Sequence, residues 1–459
     1  MEVLSLKFIN KACGGERLCG SEETSIHSVR TDSRQVQAGD VFFALSGERF
    51  DGHDFLHEAA RKGAAAVVLE RRKIPGTLPA CATIAVDHTR QALGRLAAEY
   101  RKRFDLPLIV VGGSNGKTTT KELIAAVLRQ KLATLWSDAS FNNDIGVPLT
   151  LLRLEGQHQA AVLEAGTNHP GELAPLLKMI QPGCGVMTGI GREHLEFFGD
   201  LAGVAEEEGW LAELLPSGGK LFINGDSGWS TRLIQRTRAA VICVGVTPGS
   251  DWRANSIRLD RLGTTFRVHS AHSGYSGEYR ITLLGKHQVL NALFAIAVGV
   301  ELGLGRAEIQ RGLAECRPLP MRLQLWEHNG VRVLDDAYNA NPDSMLVALE
   351  TLLDLPCKGR RVAVLGDMAE LGPHTEAAHE EVGRRAAELG IGQLFAVGRM
   401  APVTARAARA AGLNRVLEFP DVESAAPAVK SFVRTGDLLL LKASRAGRLE
   451  RIAETLKME

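Results

Sequence analysis

The sequence predicts an α/β protein of three domains, two of them built on parallel sheets flanked by helices. Three observations carry that expectation. Residues 108–120 run Leu-Ile-Val-Val-Gly-Gly-Ser-Asn-Gly-Lys-Thr-Thr-Thr, an apolar β-branched strand that stops at a glycine turn and opens a helix. Apolar strands then alternate with helical stretches, at 160–163, 185–188, 220–223 and 240–244. A second alternation, with strands at 331–335, 361–365, 394–397, 415–419 and 438–442, follows the Pro-flanked stretch Arg317-Pro318-Leu319-Pro320.

Taken in order, residues 1–85 read as a small mixed α/β domain, with a helix at 52–62 and a strand at 65–69. Within it, Thr31-Asp32-Ser33-Arg34 reads as a turn; Ser33 and Arg34 are placed to hold an anionic or hydroxylated ligand, since Arg offers phosphate a bidentate fork. Residues 86–316 form the central domain, entered through a helix at 89–103. Its alternation implies a P-loop domain on a parallel sheet, and the Gly-punctuated residues 250–283 add a small antiparallel sheet. A helix at 285–302 closes it. Residues 317–459 read as a Rossmann-like doubly wound domain, in which ligands bind at the carboxyl ends of the strands.

The chemistry starts at the glycine turn. Gly112, Gly113 and Gly116 let backbone N–H groups approach an anion, and the new helix points its positive end at the same place. Lys117 is placed to neutralise β/γ-phosphates, and Thr118 or Thr119 to offer a hydroxyl to Mg²⁺. The helix is credible because Leu123, Ile124, Val127, Leu128 and Leu132 share one face. Val111 stands where the general P-loop pattern has its first glycine, so this loop is tighter. Glu164, at the end of the strand 160–163, falls on the same sheet edge and suits an oxygen-loving cation. His194 lies just past the next strand. Asp336, Asn339 and their neighbours in 335–342, with Lys442, Ser444 and Arg445, crowd the equivalent edge of the C-terminal domain. A phosphate cradle facing a second polar edge across a hinge is the layout of an Mg-ATP enzyme that closes on its substrates.

Composition narrows the field. The 459 residues are 45% hydrophobic and 23% charged, enough for ample cores. With 54 Lys+Arg against 53 Asp+Glu there is no basic excess to suggest nucleic acid. Apolar runs are too short to cross a membrane. The seven scattered cysteines read as reduced thiols in a cytoplasmic protein.

At these residues the chain resembles the Mur ligase family. The short cradle Gly113 to Thr119, the 32–34 and 47–53 elements, Asn142-Asn143, residues 164–172, His194-Leu195-Glu196, 285–293, 336–345, 366–368 and 442–445 all carry the resemblance. Tyr338-Asn339-Ala340-Asn341-Pro342 is similar to the dipeptide-adding branch. That resemblance implies ATP-driven amide formation between UDP-MurNAc-tripeptide and D-Ala-D-Ala through an acyl phosphate, in peptidoglycan precursor synthesis, by a cytoplasmic monomer. It implies Mg²⁺ at Thr118 and Glu164, with a second at His194. It assigns Gly113, Ser114, Asn115, Gly116, Lys117, Thr118, Thr119, Gln288, Asn291, Arg322 and Asp336 to the nucleotide, and Ser33, Arg34, Asn142, Asn339, Ser444 and Arg445 to the substrates. Two positions depart from the family pattern. Where the family carries a carbamylated lysine, this chain has Glu208, which would fill the role as a permanent carboxylate, and Gln288 replaces an asparagine. Another Mur-type or folylpolyglutamate-synthase-like ligase, or a nucleotide-dependent switch protein, are the alternatives.

Overall fold

A computed structural model describes residues 1–47, 50–139 and 141–458. Glu48 and Arg49, inside the 47–53 element singled out above, lie outside the described residues. Over the described residues the main chain forms three large sheets and one short two-stranded pairing.

The largest sheet explains the rest. Its order is Gly277–Ile281, Gly263–Ser270, Trp252–Asp260, Ala240–Gly245, Lys220–Asn224, Cys184–Met187, Leu108–Gly112, Ala160–Glu164, Thr134–Trp136. Six of these strands pair parallel as the alternation implies. The expected separate antiparallel sheet at 250–283 is a correction: Trp252 and Arg253 pair in parallel with Val244 and Gly245, so the antiparallel strands extend the same sheet. Buried Trp252, Phe266 and Tyr279 continue its apolar face, which no separate sheet would share.

The strand Leu108–Gly112 lies where the order reverses, with Ala160–Glu164 on one side and Cys184–Met187 on the other. That switch point opens a crevice at the strands' carboxyl ends. The helix Lys117–Leu128 packs one face of the sheet beside the largely apolar helix Gln288–Glu301. The other face shares a continuous core with the N-terminal residues: Leu6, Ile9 and Val41 pack with Leu93, Tyr100, Leu108 and Val110. Tyr100 is fully buried and ties the two together, its hydroxyl donating to Leu154 O (2.6 Å) and accepting from Glu2 N–H (2.8 Å).

The N-terminal sheet runs Glu16–Cys19, Ala82–Val86, Ala66–Glu70, Asp40–Phe43, Ser28–Arg30. The helix expected at 52–62 divides into a 3-10 turn, Gly52–Phe55, and a short helix, Leu56–Arg61. The C-terminal sheet runs Gln324–His328, Val331–Asp336, Leu438–Lys442, Arg361–Leu365, Gln393–Val397, Val416–Phe419, parallel except for its first, antiparallel strand. Leu195, Phe198 and Val204, from the loop and helices after Cys184–Met187, insert into the core under this sheet. Among the described residues no helix is long and apolar enough to cross a membrane.

Candidate active site

The carboxyl ends of the central strands and of the C-terminal sheet face one another across a cleft of about 610 Å³. Its floor is the glycine turn. Gly113 has φ +105° and Gly116 φ +83°, values that favour glycine, and a Cβ on Gly116 would come within 2.7 Å of Asn291 Oδ1. Asn291 is held beneath the turn by Thr120 Oγ1 (3.1 Å) and donates to Gln288 Oε1 (2.8 Å). The close approach that a phosphate cradle needs is therefore built from packing.

Lys117 opens the helix, with Nζ 3.2 Å from Ser114 O and 3.2 Å from Glu193 Oε2. Burial works against its charge, yet the carboxylates of Glu193, Glu208 and Glu164 outweigh burial and hold the ammonium above its ordinary range. Burial pushes the Glu193 carboxyl up, with Lys117 pulling the other way. Glu208 has no solvent exposure; its Oε2 accepts from Gly113 N–H at 2.7 Å and its Oε1 has no hydrogen-bond partner. Burial lifts that carboxyl to about 7, against the pull of Lys117.

Parallel register sets Glu164 opposite Val111 at the cleft edge. Its Oε1 accepts from Asn142 Nδ2 (2.8 Å), while its Oε2 is buried and without a partner. The loop that carries Asn142 is pinned from below by fully buried Lys121, whose Nζ donates to Ser137 O (2.6 Å) and Ala139 O (2.7 Å). An orphaned, buried carboxylate oxygen in the cleft that Thr118 also lines fits a hard divalent cation. Among the described residues no three His, Cys, Asp or Glu side chains converge as a closed metal cage. Mg²⁺ does not require one, since it keeps waters and shares substrate oxygens.

The loop after Cys184–Met187 joins the two sheets. On one side it is bonded to the glycine turn: Ser114 N–H donates to Gly189 O (2.9 Å), and Ser114 Oγ accepts from Gly191 N–H (2.8 Å). On the other side Arg192 reaches Asp343 (N–H 2.7 Å, Nε 2.7 Å) and Glu381 (2.5 Å). His194, at φ +50°, donates to Glu370 Oε2 at 2.5 Å. Asn341 Nδ2 donates to Asn115 Oδ1 at 2.9 Å, a direct link from the C-terminal sheet to the glycine turn.

Opposite, Lys442 is almost fully buried and its Nζ reaches Asp336 Oδ2 (2.5 Å) and Asn339 O (3.1 Å). Asp336 also accepts from Leu323 N–H, and Arg322 stacks over the Tyr338 ring at 4.2 Å. Burial and the Lys442 charge push His287 down to about 4, so a neutral imidazole lines the cleft.

Of the residues singled out in the sequence, Ser114, Asn115, Gly116, Lys117, Thr118, Thr119, Asn142, Glu164, His194, Gln288, Asn291, Arg322, Asp336 and Asn339 line this one cleft. Gly113 and Glu208 sit behind its wall. The others are elsewhere. Ser444 is buried in a tie between Ala369 N–H and Ala340 O, Arg445 pairs with Glu450, and exposed Arg34 pairs with Asp32. Ser33 is buried at the start of a 3-10 turn, its carbonyl accepting from Lys62. Sequence reasoning missed Glu193, Lys121, His287 and Arg192. Glu193 had one signal, an acid directly before His194 at a strand's carboxyl end.

A glycine turn at a switch point, a buried lysine and an orphaned carboxylate, facing a second polar sheet edge, define a P-loop enzyme acting between two sheets. The chain belongs to the Mur ligase family: it matches the models for the Mur ligase family catalytic domain over residues 25–101, the Mur ligase middle domain over 111–299 and the Mur ligase glutamate ligase domain over 321–445. It is 36% identical to the UDP-N-acetylmuramoyl-tripeptide–D-alanyl-D-alanine ligase of Bacillus subtilis, over 95% of this chain and 94% of that one. It is 35% identical to the ligase of the same name from Escherichia coli, over 99% and 98%. Among solved structures it is similar to MurF from Acinetobacter baumannii (30% identity, TM-score 0.90, 99% of both chains). It is also similar to MurF ligase from Thermotoga maritima in complex with ADP (28%, TM-score 0.81, 94% and 97%). A folylpolyglutamate synthase from Mycobacterium tuberculosis shares the fold at 15% identity and TM-score 0.64.

Proposed function

We propose that the chain is the ATP-dependent ligase that joins D-Ala-D-Ala to the terminal carboxylate of UDP-MurNAc-tripeptide, releasing ADP and phosphate. The observation that carries this reading is the single cleft in which the glycine turn, Lys117 and orphaned Glu164 face Lys442, Arg322 and Asn339. The names of relatives at 35–36% identity over nearly the whole chain support the choice of substrates.

The chemistry follows from the residues. A bare carboxylate resists attack by an amine because its leaving group would be oxide; phosphorylation by ATP gives an acyl phosphate with a good one. The glycine-turn amides and Lys117 hold the β- and γ-phosphates and offset charge as the γ-phosphoryl moves. Asn291 and Gln288 support the turn from below, with Gln288 and Arg322 on the nucleoside side. Thr118 and Glu164 would hold Mg²⁺, with His194 near a second, and the cation supplies charge neutralisation on the phosphates. Asn142, kept in place by Lys121, orients the tripeptide side, and Asn339 the dipeptide side. Glu208, anchored on Gly113 N–H, keeps a carboxyl group behind the turn without carbamylation and makes the activity independent of CO₂. The N-terminal sheet, with Ser33 and Arg34, receives the UDP portion, and we place the domain borders near residues 85 and 316. The enzyme works in the cytoplasm as a monomer.

Phosphate release from Mg-ATP is the test, measured with each substrate omitted in turn and with mass analysis of the product. Release that needs both UDP-MurNAc-tripeptide and D-Ala-D-Ala, with a pentapeptide product, supports the ligase. Release indifferent to the dipeptide supports a switch protein or another ligase. Stimulation by added bicarbonate would overturn the role given to Glu208.

A further inference from the structure

The Glu193 carboxylate occupies the position of a competitor for the nucleotide. Glu193 and Lys117 have side chains only 10% and 13% exposed, and both line the cleft. The ammonium spends its short contacts on Ser114 O and on Glu193, whose two oxygens lie 3.2 and 3.5 Å away. Glu164 and Glu208 also act electrostatically on the same ammonium, without a hydrogen bond to it in the structure. Glu193 is held from moving aside. Its own N–H donates to Gly191 O (2.9 Å), and its neighbours Arg192 and His194 are fastened to Asp343, Glu381 and Glu370.

An arriving phosphate requires a Lys117 donor and brings further negative charge. It therefore has to take the ammonium from a carboxylate that solvent barely screens and leave that carboxylate beside the phosphate. We propose that Glu193 is an anionic placeholder for the phosphate, a positioning residue. It holds the Lys117 ammonium in place while the cradle is empty, and its competition weakens nucleotide binding and speeds release of ADP. The inference rests on the reading of this cleft as a nucleotide site.

Calorimetric titration of ADP into the full chain tests it, with and without Mg²⁺, for the wild type, Glu193→Gln and Glu193→Asp. The expected result for Glu193→Gln is an ADP Kd about tenfold lower in both conditions, equivalent to about 1.4 kcal/mol, with slower ADP release by stopped flow. Removing one partner of a buried pair can unfold a protein. Glu193→Asp retains the charge on a shorter reach, and its expected Kd is about threefold lower. An unchanged Kd in the variants that fold overturns the inference. So does weaker binding confined to the Mg²⁺ titration, which would make Glu193 a cation partner instead. A wild type that fails to bind ADP at all would refute the nucleotide reading itself, a separable outcome.

Discussion

Replacing Arg192 by alanine removes the side-chain clamp between the central loop and the C-terminal sheet while leaving the cradle intact. The guanidinium contacts Asp343 at 2.7 Å and Glu381 at 2.5 Å, and the three side chains are 28%, 36% and 32% exposed. Pairs this open to water are screened, so each contributes about 0.5–1 kcal/mol and the clamp about 1–2 kcal/mol. At 1.4 kcal/mol per decade, the docked arrangement becomes roughly 5- to 30-fold less favoured. On the proposed reading of the cleft, the dipeptide needs both sheets, whereas ADP rests mainly on the central one. Steady-state kinetics should therefore show kcat/KM for D-Ala-D-Ala falling roughly 5- to 30-fold while the calorimetric Kd for ADP stays within about twofold. Small-angle scattering should show a larger radius of gyration for the ligand-free variant. A kcat/KM within twofold of wild type, or an equal fall in ADP affinity, would refute the idea that Arg192 holds the two sheets together.

Three further perturbations probe the cradle and its supports. Glu208→Gln keeps the acceptor for Gly113 N–H but fixes the neutral form. Because the folded carboxyl is lifted to about 7, its stabilising contribution is full below pH 4.5 and is lost as pH rises through 7. The variant should thus gain thermal stability relative to wild type at pH 8 and not at pH 4.5; a gain independent of pH would contradict that. Gly113→Ala puts a Cβ 2.5 Å from Thr188 Oγ1 at φ +105°, so ADP binding should be lost with a stability cost of about 2–4 kcal/mol by denaturant titration. Asp367→Ala removes the acceptor of Arg399 and Met400 N–H at the start of the helix Ala401–Ala410. It should cost about 1–2 kcal/mol of stability by the same titration and leave kcat unchanged.

The sequence exposed the cradle because its information is local. Residues 108–128 specify a strand, a glycine turn and a one-sided helix with no distant partner required. Strand-end residues such as Glu164 and Asp336 followed from topology, since parallel strands send their carboxyl ends to one edge. What stayed hidden depends on how sheets meet. Arg192 reads as a surface charge until Asp343 and Glu381, about 150 and 190 residues away, are brought to it. Glu193 has meaning only beside Lys117. Ser444 looked like a ligand-facing residue because it ends a strand, yet its hydroxyl is consumed by Ala369 and Ala340. Asp367 sits at a strand edge for a helix cap. The antiparallel strands were recognised as strands, but that Trp252 pairs with Val244 is decided by burial of an aromatic face, which spacing alone does not encode.

The uneven way in which the cores are shared has a consequence for recombination. The N-terminal and central sheets have one continuous apolar core between them, so a crossover near residue 85 would ask two foreign halves to interdigitate. A crossover in the Pro-flanked stretch 317–320 appears cleaner on the chain, but Leu195, Phe198 and Val204 are packed under the C-terminal sheet. A chimera that exchanges the C-terminal sheet between relatives should fold well only when residues 195–204 travel with it. The exchangeable part of this enzyme is therefore discontinuous in sequence, a C-terminal segment plus one borrowed turn of the central loop.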